Sequence, residues 1–396
     1  MVWFAAALLL LAAGCPQGEQ QDGSSSSASR SAGSQDESPV AAQGTAHPNL
    51  FEGTPMASRA PNNLAIDRAG TRLYANVVPI STDPFHYVTA FDLSQQQLAN
   101  PRPLYQLKTL GKAYLFAHPT EERSLIVKSI HNEDGEVIDQ VREVEAGKSP
   151  REIRVDIAAG IPADAPFDNL LDIRPLYSWD GDQIIAPLVS TGLVIKGNPN
   201  EQPVYVDYPE IGFEYTGKAI QAIETQNGKR RIVLSFWQGA TAEEKCLLYT
   251  LDLDTLQYEL ITQEPLRWIV YQVASADYDN EPWLIAGSRG KQSAVEITRT
   301  PMLAWLDPSG SSSFEPVEFL GEPVWQVELD DRGGHVVYLD SLSRSLVRLD
   351  PRTGELESDP DLYTDDINAA ILVNTDASLV LLWEGTRLAP ADWQAN

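Results

Sequence analysis

Cysteine is nearly absent. The 396 residues contain two, Cys15 and Cys246, too few for a disulfide-stapled fold or a cysteine-rich metal centre. The five histidines, at 47, 86, 118, 131 and 335, have no metal-ligand spacing. A Gly-x-Ser-x-Gly nucleophile elbow, a Cys-x-x-Cys-His haem attachment and a glycine-rich phosphate loop with its lysine are all missing. Positive charge is scarce: 29 Lys and Arg stand against 56 Asp and Glu, for a net charge of −27. Nucleic-acid affinity needs cations to meet phosphates, so this balance excludes a nucleic-acid partner. It also opposes adsorption of the protein surface to anionic lipid. No apolar stretch reaches the roughly 20 residues of a membrane-spanning helix. Nor does a 3.6-residue apolar period persist over a dozen residues, which argues against long helices.

What is there begins at the N-terminus. Ala5-Ala-Ala-Leu-Leu-Leu-Leu-Ala-Ala-Gly-Cys15 has the length of the apolar core of a secretory signal. Small residues before Cys15 let an extended backbone enter a protease cleft, with Leu11 filling an apolar subsite. The string Leu11-Ala-Ala-Gly-Cys15 resembles the lipobox of bacterial lipoproteins. The resemblance implies a signal peptide over 1–14, diacylglycerol on the Cys15 sulfur, cleavage of the Gly14–Cys15 bond and acylation of the new amino group. Two or three acyl chains make a firm membrane anchor, where one is marginal. Pro16-Gln17 lacks the aspartate that in that family retains proteins in the inner membrane, which implies the outer membrane of the cell envelope where the organism has one. Residues 15–49, rich in Gly and Ser, bury too little apolar area to offset chain ordering and are expected to form a tether. Its coil-like reach is on the order of 30 Å. With Cys15 lipidated, Cys246 is expected to be a buried core residue.

Residues 50–396 repeat. Turns at Asp67-Arg-Ala-Gly70, His118-Pro-Thr-Glu-Glu122, Asp180-Gly181, Gln226-Asn-Gly-Lys229, Asp277-Tyr-Asp-Asn280, Asp330-Asp-Arg-Gly-Gly334 and Asn374-Thr-Asp-Ala377 each precede a β-branched or aromatic run. The runs start at 71, 124, 182, 231, 282, 335 and 378, a mean spacing near 51 residues. That period with short strands fits propeller blades. The expectation is therefore an all-β fold: a β-propeller of seven blades, mostly of four antiparallel strands. A β-sandwich with long excursions, or two smaller β domains, is the alternative. From about residue 60 to 396 the pattern resembles bacterial propellers with YVTN-like or quinoprotein-like blades. The last repeat has no sequence for a fourth strand, so Asn49-Leu-Phe-Glu-Gly-Thr-Pro-Met56 is expected to pair there, through Leu50 to Thr54, and close the ring.

Sites are fewer. Asp277, Asp279 and Glu281 offer the oxygens a divalent cation such as calcium takes, but the segment is too short for a twelve-residue calcium loop, and turn chemistry accounts for it. No other cofactor is expected. Tyr205, Tyr208, Phe213 and Tyr215 lie in an irregular stretch rich in Tyr, Pro and Glu, and can line a binding rim or pack against the next blade. Two function classes follow: an anchored binding or scaffolding module for a protein, peptide or glycan, or a propeller enzyme with dispersed residues at the channel mouth. For the second class, a quinoprotein-like oxidoreductase, a hydrolase and a lyase all fit the fold.

Overall fold

The computed structural model describes residues 47–396 except 78–85, 108–112, 132–136, 164–174, 189, 198, 239–243, 293–296, 308–313, 318–322, 367–368 and 396. The signal segment, Cys15 and the tether up to residue 46 lie outside the described residues. His47–Asn396 forms one compact unit. It is a seven-bladed β-propeller of antiparallel sheets. Blade 1 comprises Leu64–Ile66, Arg72–Val77, His86–Leu93 and Leu98–Leu107; blade 2, Ala113–Ala117, Arg123–His131, Val137–Glu145 and Arg151–Glu152. Blade 3 comprises Leu176–Tyr177, Ile184–Pro187, Gly192–Lys196 and Val204–Asp207; blade 4, Thr216–Glu224, Arg230–Gln238, Lys245–Asp252 and Tyr258–Leu260. Blade 5 holds Ile269–Ala274, Trp283–Gln292, Ile297–Leu306 and Phe314–Pro316. Blade 6 has Pro323–Leu329, Val336–Asp340, Ser345–Leu349 and Leu356–Tyr363; blade 7 has Ala370–Val373, Val380–Glu384 and Arg387–Pro390. Strands are lettered A to D from the inside of each blade outward. Helix α1, Ile153–Gly160, follows the two-residue D strand of blade 2 and buries Ile153 and Ile157 beside blade 3.

The seven sequence runs are the B strands. They read as continuous apolar stretches because both faces are covered. In blade 4, Ile232, Leu234 and Phe236 face blade 3, whereas Val233 packs among Val270, Trp283 and Ile285 of blade 5. In blade 1, Leu73 and Ala75 pack with Leu379 and Leu381 of blade 7, and Tyr74 turns to Leu115 and Ile126 of blade 2. Each such side chain removes roughly 1.5–3 kcal/mol worth of apolar surface from water.

Ring closure differs in form from the expectation. Among the described residues blade 7 has three strands, and the N-terminal segment does not pair through Leu50 to Thr54. Leu50 N–H donates to Leu388 O at 2.7 Å, and Asn49 Oδ1 accepts from Leu388 N–H at 3.1 Å. The chain then turns, with Thr54 Oγ1 accepting from Met56 N–H to cap a single 3-10 turn, Pro55–Ala57. Leu50, Phe51 and Met56 plug the cluster between blades 7 and 1. Pro55 explains the change: it fixes a helical φ and lacks the N–H a strand would use. The C-terminal residues turn the other way, Gln394–Ala395 pairing with Glu357 and Ser358 of blade 6. Asp359, buried in blade 6, holds both ends, bonding His47 Nε2 at 3.0 Å and accepting from Asp392 N–H at 2.7 Å.

Candidate functional site

Each A strand ends on a buried polar residue: Asp67, His118, Ser178, Thr225, Ser275, Asp330 and Asn374. All seven do the same work. Each side chain accepts a backbone N–H of its own A–B turn, as in Asp67 Oδ1 from Thr71 at 2.7 Å, His118 Nδ1 from Glu121 at 2.9 Å, Ser178 Oγ from Gln183 at 3.0 Å and Asn374 Oδ1 from Leu379 at 2.9 Å. Thr225, Ser275 and Asp330 repeat the bond to Lys229, Asp277 and Gly334. A buried turn must satisfy its amides internally, and a short polar side chain does so locally. His118 Nε2 lies 3.1 Å from Gly181 O and 2.9 Å from Arg123 Nη2. Burial, then the neighbouring Arg123 charge, holds His118 below the usual histidine range.

In blades 1, 6 and 7 the residue that follows the turn acceptor, Arg68, Asp331 or Thr375, lines the mouth of the channel, and in blade 3 it is Trp179, beside Arg68. The Arg68 guanidinium lies 3.5 Å from the Trp179 ring centroid, and its Nη1 donates to Trp179 O at 2.6 Å. Across the mouth Arg68 Nε is 3.6 Å from Asp331 Oδ2. Asp331 accepts from Thr375 Oγ1 at 3.0 Å and from Gln221 Nε2 of blade 4 at 3.1 Å, while its carbonyl accepts from the Tyr278 hydroxyl of blade 5 at 3.0 Å. Gln221 reaches the mouth because the register shifts between Ala219 and Gln221, a bulge that re-aims the side chain. Blade 5 carries the same bulge before Gln272, whose Oε1 accepts from Leu329 N–H of blade 6 at 2.9 Å.

Arg68, Gln221, Asp331 and Thr375 line a cavity of about 270 Å³, with Phe116, Leu176, Tyr177, Ser178 and Asn374 among the residues of its wall. Burial pushes the Asp331 carboxyl up from the ordinary aspartate range, against the Arg68 charge and the Thr375 bond, and lowers Arg68, against Asp331. Behind the cavity Tyr177 donates to buried Glu143, which also pairs with Arg123 and Arg151. The arrangement holds one carboxylate and one guanidinium in partial exposure, each already bonded to protein groups. Sequence reading reached the turns but not this network, whose members differ chemically in every blade. Arg68, Trp179, Asp331 and Thr375 share a position two residues past the last apolar A-strand residue, whereas Gln221 lies within its A strand and has no such signal.

The sequence candidates sit elsewhere. Asp277 Oδ1 accepts from Asp279 N–H at 3.0 Å and its Oδ2 from Asn280; Asp279 lies near Arg231, and Glu281 pairs with Arg352 at 2.8 Å. These three carboxylates turn to separate partners, and no group of three potential metal ligands occurs among the described residues. Tyr208 is buried, donates to Leu188 O at 2.7 Å and stacks edge-on against Phe236 and Tyr215 between blades 3 and 4. Tyr205 and Tyr215 are half-buried in adjoining clusters, and Phe213 lies 6.0 Å from Lys245 Nζ. Cys246 is wholly buried, and burial pushes its thiol up to about 11.

No protein-family model and no curated protein matches the chain by sequence. Solved structures do match it by shape. The β-propeller domain of Cps50 (Swd1) from Myceliophteria thermophila aligns with a TM-score of 0.50 at 14% identity, over 85% of this chain and 97% of that one. A putative 6-phosphogluconolactonase from Bacteroides fragilis aligns at 0.40 and 13%, over 75% and 82%. An oligogalacturonate lyase in complex with manganese aligns at 0.37 and 10%, over 89% and 90%. At such identities the similarity is one of architecture, and the chain shares with the Cps50 domain the β-propeller fold.

Proposed function

We propose that this chain is a lipid-anchored recognition or scaffolding propeller of the cell envelope, acylated at Cys15 and displayed by its tether. The observation that carries the recognition reading is the state of the channel mouth. Arg68, Gln221, Asp331 and Thr375 bond to one another across blades 1, 4, 6 and 7. They act as a cross-brace. Gln221→Leu and Thr375→Val test the brace. Each strips a partner from a partly buried carboxylate and is expected to cost about 1–3 kcal/mol. A reactive site behaves oppositely, since removing strained functional groups leaves stability unchanged or raises it. Unchanged or raised unfolding midpoints in both variants would defeat the brace.

One observation favours a second reading. Asp331, with its carboxyl pushed up in a walled cavity, has the character of a general acid or base. In that case the propeller is an enzyme acting at this mouth, and Asp331→Asn abolishes turnover while leaving the fold intact.

A further inference from the structure

On the reading of this chain as a recognition propeller, we infer that the outer corner of blade 6 is its docking surface, and that the partner is a protein presenting an apolar pocket rimmed by Lys or Arg. Leu342 is 88% exposed and Tyr363 56%, the two most exposed tyrosine and leucine side chains among the described residues. They belong to adjoining segments. Leu342 is the tip of the B–C turn, and Thr364 N–H, next to Tyr363, donates to Arg344 O at the foot of that turn at 3.2 Å. Ser345, the first residue of strand C, stands opposite Tyr363.

The tip is held rigidly. Asp340 Oδ1 accepts from Leu342 N–H at 3.0 Å, Ser343 N–H at 2.7 Å and the Ser343 hydroxyl at 2.9 Å. Arg344 N–H donates to Asp340 O, and Arg344 itself sits at φ +59°, a left-handed conformation that costs an L-residue energy. A turn so ordered presents Leu342 with little entropy left to lose, which favours binding. Beside it Asp361, Tyr363 and Asp365 are exposed while Leu362 and Thr364 are buried, the alternation of an edge with one wet face. Along these two segments Asp340, Asp361, Asp365 and Asp366 outnumber Arg344.

Charge selects the occupant. Residues 16 to 46 have Glu19, Asp22, Asp36 and Glu37 against Arg30 alone, so that segment does not supply the basic groups these carboxylates call for. A second copy of the chain carries −27, and anionic lipid is repelled likewise. A basic rim around an apolar pocket satisfies both features: the Leu and Tyr side chains leave water, and the carboxylates steer the encounter.

The test uses the full-length chain in cells, with a benzophenone amino acid placed at Leu342, at Tyr363, or at Val155 on helix α1 as an exposed control. Illumination is expected to give a protein adduct from positions 342 and 363 and none from 155. The adducted peptide of the partner should contain Lys or Arg beside apolar residues. Adding Asp361→Lys with Asp365→Lys should cut the yield by about tenfold or more, as expected where rim charges govern association, with the unfolding midpoint unchanged. Adducts to phospholipid or to a second copy, equal yield at 155, insensitivity to the charge reversal, or no adduct would each overturn the assignment. If scanning the probe over the remaining surface then gives an adduct elsewhere, the recognition reading stands and only this corner is wrong. If no position gives one, both fall.

Discussion

Phe51→Ala asks whether the residues before the first strand belong to the ring. Phe51 has no exposed surface and sits in one cluster with Leu381 and Leu388 of blade 7 and Leu73 of blade 1. Truncating a buried phenylalanine costs about 3–5 kcal/mol, transfer loss and residual cavity together. For a cooperative unit of roughly 350 residues, unfolding entropy near 2.1 cal/mol/K per residue converts that loss into a drop of about 4–7 °C in Tm. Glu52→Ala, one residue away and exposed, should leave Tm where it was. Thermal scans of the three proteins, followed by limited proteolysis at Arg387 in strand C of blade 7, give both readouts. Removing residues 1–46 should have little effect, whereas removing 1–56 also deletes Leu50 and Met56 and should exceed the Phe51→Ala loss. The reasoning fails if Phe51→Ala and Glu52→Ala melt within about 1 °C of each other, because the plug would then contribute nothing to closure.

Three further outcomes follow from the channel mouth and its turns. Asp331 has its folded pKa raised, so its ionisation opposes folding: the stability present below the unfolded value is lost as pH rises through the folded one. Asp331→Asn, which keeps one of the two accepting oxygens, should lose less stability at pH 7 than Asp331→Ala, which orphans both Gln221 and Thr375 and should lose about 1–3 kcal/mol; equal denaturant midpoints would contradict this. His118 has its folded pKa lowered, so below about pH 6.5 the unfolded chain takes up a proton that the folded one refuses, and stability falls as pH drops toward the folded value. His118→Gln should flatten that part of the stability–pH curve, and parallel curves would contradict the assignment. Gly181 and Gly228 both have positive φ, but a Cβ at 181 would lie 2.1 Å from His118 Nε2 while one at 228 meets nothing within 4 Å. Gly228→Ala should cost about 1–2 kcal/mol of backbone strain, Gly181→Ala clearly more, and equal midpoint shifts would contradict the packing.

The ring was legible in the sequence because its B strands are apolar on both faces and its A–B turns need polar side chains. Asp67, Asp330 and Asn374 are legible as turn starts because Asp and Asn are strong turn signals, as is the proline that follows His118. At Ser178, Thr225 and Ser275 the visible turn signal falls instead on Asp180, Gln226 and Asp277. Serine and threonine do the same capping through a hydroxyl but are too common elsewhere to announce it. The closing segment was located correctly and its form was not, since one strand-like bond at Leu50 followed by a plug of Phe51 and Met56 leaves no alternation to read. The channel network was out of reach. Arg68, Gln221, Asp331 and Thr375 share no chemistry, and Gln221 arrives through a bulge that only the three-dimensional register reveals.

The most direct test of an anchored recognition propeller is the mass of its mature N-terminus. Protein extracted from membranes with detergent should begin at Cys15 and carry a diacylglyceryl group on sulfur and an acyl chain on the amino group, and Cys15→Ser should release the chain into the soluble fraction with its unfolding midpoint unchanged. An unmodified peptide spanning Gly14–Cys15 in the membrane-fractionated protein would contradict the account.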